Sequence, residues 1–360
     1  MKVLFVSAPL VGHVFPMVPL ATALRAAGHD VLLATGGDAL AVEGVDVVDV
    51  APGIRFGRVA AATALRHPLA LCSELAGGAD LRFASHLFAA VNARMVDGVV
   101  EHARRWRPDL VVHEPFAVAG ARAAAELSVP AVVHEMSLFD GAQLASVTLA
   151  RTAWQAPDPA AVLRIAPPSL MATGDAWPLR AVPHSGDGPV PEWLAVRPDR
   201  PRVLVSRSTV GGPGGSRLMA AVVAVADRVD AEFVLARPGR LADKPLPANV
   251  RAVDWVPFSK VLPTCSAVVH HGGAGTLFSA LAAGIPQLVE PGAGDRERHA
   301  RLVAERGAGL AEREVTAEVL TRLVTDPALA AAAREVSAEM AAMPVPEDLV
   351  PRLEGLSAGA

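Results

Sequence analysis

The chain has 360 residues, of which 52% are hydrophobic and 19% are charged, so we expect two globular domains rather than a disordered protein. The 33 lysine and arginine residues and 37 aspartate and glutamate residues give a formal net charge of −4, which argues against a nucleic-acid-binding surface. No run approaches the roughly 18 uninterrupted apolar residues of a membrane span, so we expect a soluble, cytoplasmic protein with no membrane partner.

The N-terminal half alternates short apolar runs with helical stretches. The first run, "KVLFVS", is predicted as a strand rather than part of a signal peptide, because Pro9 and His13 interrupt the apolar stretch soon after it. The runs are apolar throughout, which is typical of parallel strands covered on both faces. A more helical region is expected between Arg55 and Arg105. The predicted strands are 2–7, 30–35, 45–50, 109–113 and 130–135, and the predicted helices are 16–27 and 117–127.

The pattern stops between about Gln155 and Arg202, where prolines are frequent, and it resumes afterwards. Strand–helix–strand alternation on both sides predicts an α/β protein of two Rossmann-like, doubly wound domains. We place an N-terminal domain at 1–183, a linker at 184–201 and a C-terminal domain at 202–360, whose last helix is expected to pack back on the first domain. The later predicted strands are 202–206, 232–236, 250–255, 267–271 and 286–290, and predicted helices begin near 216, 274 and 295.

The stretch "SAVVHHGGAGTLFSALAAGIPQ", residues 266–287, places glycines between a strand and a helix. Unpaired backbone N–H groups at a helix N-terminus bind anions, and Gly272, Gly273 and Gly275 allow a phosphate to approach closely. Thr276 can cap the helix or donate its hydroxyl hydrogen, and His271 can donate one more hydrogen bond. No Gly-Lys-Ser/Thr follows, and the turn lies too late in its domain for a dinucleotide fingerprint. The turn therefore indicates a diphosphate of another kind.

Two long segments resemble GT-B glycosyltransferases, most closely the bacterial enzymes that attach deoxysugars to antibiotics. The segments are "DWVPFSKVLPTCSAVVHHGGAGTLFSALAAGIPQLVEPGAGDRERHARLVAERGAGL" and "MKVLFVSAPLVGHVFPMVPLATALRAAGHDVLLAT". The loop "VLVSRSTVGGPGG" is similar to the variant found in enediyne-type, calicheamicin-like enzymes. The resemblance implies two Rossmann-like domains that face each other across a cleft, with the sugar donor bound by the C-terminal domain and the acceptor by the N-terminal domain.

By resemblance, Trp255 stacks on the nucleotide base with Val256 beside it, and His271 binds the diphosphate together with the glycines and Thr276. Asp295 and Arg296 occupy the place where many relatives read sugar hydroxyls with Asp-Gln, so Arg296 departs from the pattern. Ser279 replaces the glutamate with which plant relatives bind the ribose of UDP, which favours a TDP-sugar over a UDP-sugar. The complete set expected to bind the sugar donor is Ser206, Thr209, Trp255, Val256, His271, Gly272, Gly273, Gly275, Thr276, Asp295 and Arg296.

His13 lies in "GHVFP", after the first strand, at the sheet edge where α/β proteins bind ligands. An unperturbed histidine pKa near 6.5 suits a general base, and the family motif assigns His13 that role. Glu114 follows a neighbouring strand and can orient the imidazole, although relatives usually have aspartate there. Side chains expected near an apolar acceptor are Phe56, Phe83, Phe88, His113 and His134, although for each of them ordinary packing is an alternative.

Cys72 and Cys265 are too far apart in sequence for a metal motif and are predicted to be buried free thiols. With no metal or other cofactor expected, the sequence predicts an inverting transfer of a sugar from a TDP-sugar to a hydroxyl of a small apolar natural product. A homodimer is possible. The alternatives are a nucleotide-sugar epimerase or a cell-wall glycosyltransferase of the same fold, and a catalytically silent protein that binds sugar nucleotide for a partner.

Overall fold

The computed structural model describes residues 1–75, 81–186, 188–208 and 215–358, and the chain divides into two compact units. The first unit comprises Met1–Ala166, Met171–Ala181 and Met343–Ala360, and the second comprises Pro167–Leu170 and Val182–Ala342. Residues 184–201, predicted as a linker, therefore group with the second unit, while the last helix groups with the first. The predicted linker belongs to the second unit because the buried side chain of Leu194 packs in a core cluster with Val261 and Leu262.

The elements alternate along the chain as the apolar runs predicted. The strands are β1 (Lys2–Val6), β2 (Asp30–Thr35), β3 (Asp46–Asp49), β4 (Leu110–His113), β5 (Ala131–His134), β6 (Ala161–Arg164), β7 (Trp177–Pro178), β8 (Arg202–Val205), β9 (Glu232–Ala236), β10 (Val250–Val253), β11 (Ala267–His270), β12 (Gln287–Val289) and β13 (Gly309–Ala311). The α-helices are α1 (Val11–Val14), α2 (Val18–Ala26), α3 (Phe56–Arg66), α4 (Pro68–Leu75), α5 (Arg82–Trp106), α6 (Ala119–Leu127), α7 (Gly141–Leu149), α8 (Glu192–Ala195), α9 (Gly215–Val225), α10 (Phe258–Val261), α11 (Ala274–Ala283), α12 (Arg296–Glu305), α13 (Ala317–Thr325), α14 (Pro327–Ala342) and α15 (Pro346–Ala358).

The first unit contains a parallel sheet in the order β3-β2-β1-β4-β5-β6-β7. Strand β1 lies between β2 and β4, with Val3 opposite both Val31 and Leu110. All four residues of β4 are buried, as expected for a strand covered on both faces. The carboxyl ends of β1 and β4 are thereby neighbours, which brings the segments after them together.

Strands β6 and β7 come from the proline-rich segment in which no element was predicted. A buried ion pair attaches this segment to the sheet, since Arg164 at the end of β6 lies 2.8 Å from a carboxylate oxygen of Glu135. The same guanidinium donates to the carbonyls of Ala172 and Thr173 at 2.6 and 2.9 Å. The apolar run of β6 itself is only Ala161–Leu163 and lies between prolines, which hides the strand in the sequence.

The second unit contains a parallel sheet in the order β10-β9-β8-β11-β12-β13. Its core includes Phe233, Met219, Val222 and Leu320, all fully enclosed. The carboxyl ends of β10, β9, β8 and β11 therefore lie side by side in that order, and a polar or aromatic residue follows each of them.

The two cysteines differ in their exposure to solvent. Cys265 is buried, but Cys72 is exposed on α4, so the prediction of a buried thiol was wrong for Cys72. Within the part of the chain that the structure describes, no helix is long and apolar enough to cross a membrane.

Candidate active site

In the first unit, the fold brings His13 and Glu114 together. His13 lies on the short helix α1, after β1, and Glu114 directly follows β4. The Nδ1 atom of His13 is 3.1 Å from Oε1 of Glu114. The histidine side chain is 13% exposed and the glutamate side chain is fully buried. With Nδ1–H donated to the carboxylate, Nε2 is the ring nitrogen that can accept a proton.

Backbone groups hold the Glu114 carboxylate in place. Oε1 also accepts a hydrogen bond from the Ala8 N–H at 3.1 Å, and Oε2 accepts one from the Phe116 N–H at 2.7 Å. These hydrogen bonds satisfy the carboxylate oxygens inside the protein. The fixed Glu114 side chain holds His13 in one orientation and one tautomer.

Phenylalanines surround the His13 ring. Phe88 on α5 has its ring centre 5.1 Å from that of His13 and stacks on Phe116 at 4.3 Å, and Phe56 at the start of α3 lies 6.0 Å from Phe88. Phe116 was not among the predicted site residues, although it lies two residues after Glu114. Phe83 is buried in the same hydrophobic cluster. The neighbourhood of the histidine is therefore apolar and aromatic.

The structure does not support an acceptor-binding role for His113 and His134. Their relative exposures are 1% and 0%. Each ring donates Nδ1–H to the carbonyl of the following residue, at 3.0 Å for His113 and 2.7 Å for His134. Burial lowers the pKa of His134 to about 4, so the ring is neutral near pH 7. Both are strand-end histidines used for packing, and a ligand cannot reach them.

In the second unit, three side chains hold the backbone of the glycine turn, which we define as residues 271–276. His270 accepts a hydrogen bond from the Gly272 N–H at 3.1 Å through Nδ1 and donates Nε2–H to Gln287 at 2.8 Å. His299 on α12 donates to the Gly272 carbonyl at 2.7 Å, and Arg296 donates to the His271 carbonyl. Gly272 has φ +87°, a conformation that favours glycine. The turn is thus fixed from both sides before any ligand binds.

His271 differs from His270 in having unused hydrogen-bonding capacity. Its Nδ1 atom is buried and has no hydrogen-bond partner among the described residues. Burial lowers the pKa of His271 to about 3, with smaller contributions from nearby His270 and Arg296. The ring is therefore neutral at pH 7, and it lies over Gly273, where a Cβ atom would be 2.6 Å from Nε2.

The helix that follows has an open N-terminus. Gly273 is the N-cap residue of α11 and has no side chain with which to cap the helix, so Thr276, the third helical residue, does not occupy the capping position. Gly275 is exposed, and a Cβ atom added there would meet no described atom within 4 Å. The first N–H groups of a ten-residue helix are thus available to an anion beside a glycine with free space around it.

Three more of the residues expected to bind the sugar donor, Ser206, Trp255 and Val256, follow strands of the same sheet. Trp255 follows β10 and is 42% exposed, whereas Val256 is buried. Ser206, at the end of β8, is buried and its N–H donates to the Val269 carbonyl at 2.8 Å. Thr209 lies outside the described residues.

Asp295 and Arg296 stand at the start of α12. Arg296 is held by protein contacts, because its Nη2 atom lies 2.5 Å from Oε2 of Glu290 while Nε binds the glycine turn. Asp295 is the N-cap residue and approaches His299 at 3.7 Å. Arg296 is therefore a support for the turn in this structure. Among the described residues, no group of three or more His, Cys, Asp or Glu side chains could hold a metal ion.

Comparisons with known proteins place this arrangement in a family. Residues 22–208 match the N-terminal domain, and residues 217–356 the C-terminal domain, of the family described as erythromycin biosynthesis protein CIII-like. The chain belongs to the erythromycin biosynthesis protein CIII-like family. It is a glycosyltransferase of the GT-B type, in line with the resemblance in the sequence.

Individual relatives are similar to this glycosyltransferase over nearly its whole length. It is 42% identical to the elloramycin glycosyltransferase ElmGT of Streptomyces olivaceus, over 98% of this chain and 97% of that protein. The crystal structure of the glycosyltransferase SnogD from Streptomyces nogalater matches with a TM-score of 0.84 at 36% identity, covering 99% of both chains. The spinosyn rhamnosyltransferase SpnG complexed with thymidine diphosphate matches with a TM-score of 0.81 at 29% identity, covering 98% of this chain and 100% of that one.

Proposed function

We propose that this glycosyltransferase moves a deoxysugar from a TDP-sugar to a hydroxyl group of an apolar natural-product aglycone. The observation that carries the proposal is the contact between His13 and a buried Glu114 whose carboxylate is fixed by two backbone N–H groups. A general base needs this kind of positioning, and an apolar acceptor needs the aromatic neighbourhood around it.

In the proposed reaction, Nε2 of His13 removes the proton of the acceptor hydroxyl. The acceptor oxygen forms a bond to the anomeric carbon as the bond from that carbon to the diphosphate oxygen breaks. One direct displacement inverts the anomeric centre, and the TDP leaves with the electron pair. Glu114 stabilises the imidazolium that forms on His13, because its carboxylate oxygen accepts the Nδ1–H hydrogen bond.

The leaving diphosphate needs compensation for the charge that it gains. We assign that task to the N–H groups at the start of α11, to the space beside Gly275 and to His271. His271 enters as a neutral hydrogen-bond donor, since burial lowers its pKa to about 3. No metal ion is part of the proposed step.

Thymidine diphosphate is favoured as the nucleotide for two reasons. The relative SpnG is known in complex with thymidine diphosphate. Ser279 is buried and donates its hydroxyl hydrogen to the Gly275 carbonyl at 2.7 Å, so it offers no carboxylate to a ribose hydroxyl. Trp255, with its exposed ring, is proposed as the platform on which thymine stacks. The enediyne-type likeness, a homodimer and a cytoplasmic location stay predictions.

The experiment that tests the proposal is a screen of TDP- and UDP-sugars against a panel of polycyclic and macrolide aglycones, run forward and in reverse with mass-spectrometric detection. We expect glycoside formation with a TDP-deoxysugar and its loss in the His13→Ala variant. The variant Asp109→Asn is a matched control, because Asp109 precedes β4 at its opposite end and accepts the Lys2 N–H at 2.7 Å. The control should keep the turnover of the original chain, and a His13→Ala variant that also keeps it would refute the assignment of the base.

A further inference from the structure

Two arginines occupy the sheet edge between the proposed base platform and the glycine turn. The strand order β10-β9-β8-β11 places Trp255, Arg237, Arg207 and His271 in a row after the carboxyl ends of those strands. Arg237 follows β9 directly and Arg207 is the second residue after β8. Neither arginine was among the predicted site residues.

Arg237 has an unusual backbone conformation, with φ +54°. The other non-glycine residues with positive φ in the described parts of the chain are Leu81, Arg107 and Ser128, and each of them begins or ends a helix. Arg237 ends a strand instead. Its N–H donates to the Val253 carbonyl at 2.8 Å, which fixes the residue in this conformation. Backbone strain of this kind is often retained at functional sites.

The Arg237 side chain is directed along the row. Its guanidinium carbon lies 5.2 Å from the ring centre of Trp255, and Nη2 donates to the Ser208 carbonyl at 3.3 Å. On its other side lies the positive charge of Arg207. Burial, and then the charge of Arg207, lower the pKa of Arg237, so both influences disfavour its charged form.

Arg207 likewise has no carboxylate partner among the described residues. Its guanidinium lies beside Gly239, with Nη2 3.8 Å from where a Cβ atom would stand, and its buried Nε atom has no hydrogen-bond partner in the described part of the chain. Within the described ranges, neither Arg207 nor Arg237 forms an ion pair with a carboxylate. Two neighbouring, partly buried positive charges are unfavourable unless an anion compensates them.

We propose that Arg207 and Arg237 bind the diphosphate of the sugar nucleotide from the side of the base platform, opposite the N–H groups of the glycine turn. The inference rests on the proposed function and adds two residues to its site. Arg237 would also keep the Trp255 ring in place for the base, which couples recognition of the base to that of the phosphates. Arginine suits this role because its planar fork can donate two hydrogen bonds to phosphate.

The test compares ligands that share the base and differ in charge. We would measure the affinities of thymidine, TMP and TDP for the full chain and for Arg207→Gln, Arg237→Gln and Arg237→Lys, by calorimetry and by competition for the weaker ligands. The control is Arg322→Gln, which removes one positive charge from a side chain on α13. That side chain is 61% exposed and, within the described chain, forms an ion pair with Asp326.

Each arginine-to-glutamine change should weaken TDP binding roughly 10- to 100-fold, the range for a hydrogen bond to a charged group. The affinity for thymidine should change less than twofold. The TDP affinity of Arg237→Lys should lie between those of the original chain and Arg237→Gln, and the TDP affinity of the control should equal that of the original chain. Equal losses for thymidine and TDP would overturn the inference, since Arg237 would then only support the Trp255 ring. Unchanged TDP affinity in folded Arg207→Gln would also overturn it, whether or not the Arg237 variants fold. If the original chain does not bind TDP, the proposed function itself fails.

Discussion

Gly275 offers the sharpest test of where the diphosphate binds. It is the second residue of α11, it is exposed, and a Cβ atom added there meets no described atom within 4 Å. Gly272 and Gly273 are less informative positions. Gly272 has φ +87°, and a Cβ atom on Gly273 would lie 2.6 Å from Nε2 of His271, so substitutions there disturb the turn itself. Of these three glycines, Gly275 alone has room for a methyl group in the protein. That methyl group would occupy the space in which we place the diphosphate.

Gly275→Ala should change stability and binding in opposite directions. Alanine is favoured over glycine within a helix by about 0.5–1 kcal/mol, and nothing in the described structure opposes the methyl group, so the melting temperature should hold or rise. The methyl group would keep the phosphate away from the N–H groups of the turn. Losing one hydrogen bond to a charged group costs about 1.5–3 kcal/mol, which corresponds to a TDP affinity at least 10-fold weaker.

The assay is calorimetric titration with TDP, alongside thermal unfolding, for Gly275→Ala and the bulkier Gly275→Val. Gly355→Ala on α15 is a matched control, because a Cβ atom there also meets nothing within 4 Å and the residue lies in the first unit. A stable Gly275→Ala protein with unchanged TDP affinity would place the diphosphate away from the N-terminus of α11 and refute the reasoning.

Four further outcomes are expected. His13→Ala should lower turnover about 10²- to 10⁴-fold, the usual contribution of a positioned general base, with TDP affinity unchanged because the proposed nucleotide site lies on the second unit. His271→Ala should weaken TDP binding by about 1.5–3 kcal/mol without altering aglycone binding, as separate titrations would show. Activity in excess EDTA should equal activity with Mg²⁺, and a loss that Mg²⁺ reverses would reject the proposed stabilisation of the leaving group. Because burial lowers the folded-state pKa of His134 to about 4, its contribution to stability is present above pH 6.5 and lost as the pH falls towards 4; His134→Gln should therefore make urea unfolding less pH-dependent by about 1.4 kcal/mol per pH unit in that interval.

Strands covered on both faces were predictable because their sequences are apolar throughout. β2 and β9 coincide with the predicted runs at 30–35 and 232–236. β6 was missed because its short apolar run, Ala161–Leu163, lies among prolines, and β13 was missed because it begins with a glycine. At Gly309 a Cβ atom would stand 2.1 Å from the Gln287 carbonyl oxygen, so the close packing of these strands requires glycine. In a sequence, however, glycine is more typical of a turn than of a strand.

The candidate site was predictable only as far as motifs extend along the chain. The contact of His13 with Glu114 followed a family motif and the rule that parallel strands place their carboxyl ends together. The support of the glycine turn by His299 and Arg296 could not be predicted in this way. These residues lie more than twenty positions from Gly272 and His271, and only the fold brings them into contact. Arg296 had instead been expected to read the sugar, and its contact with Glu290 competes with that role.

The adjacent histidines at the end of β11 show how such a fold separates support from binding. Their rings are perpendicular, with centres 6.5 Å apart. His270 uses both ring nitrogens within the protein, whereas Nδ1 of His271 has no partner among the described residues. Incomplete hydrogen bonding alone does not indicate a ligand, since Nε2 of His134 is also unpaired in the described chain but its side chain is fully enclosed. His271 and Arg207 combine an unpaired nitrogen with partial exposure and neighbouring positive charge. An anion would supply the missing acceptors at both residues and also the missing negative charge, which is why both residues belong to one diphosphate site in our proposal.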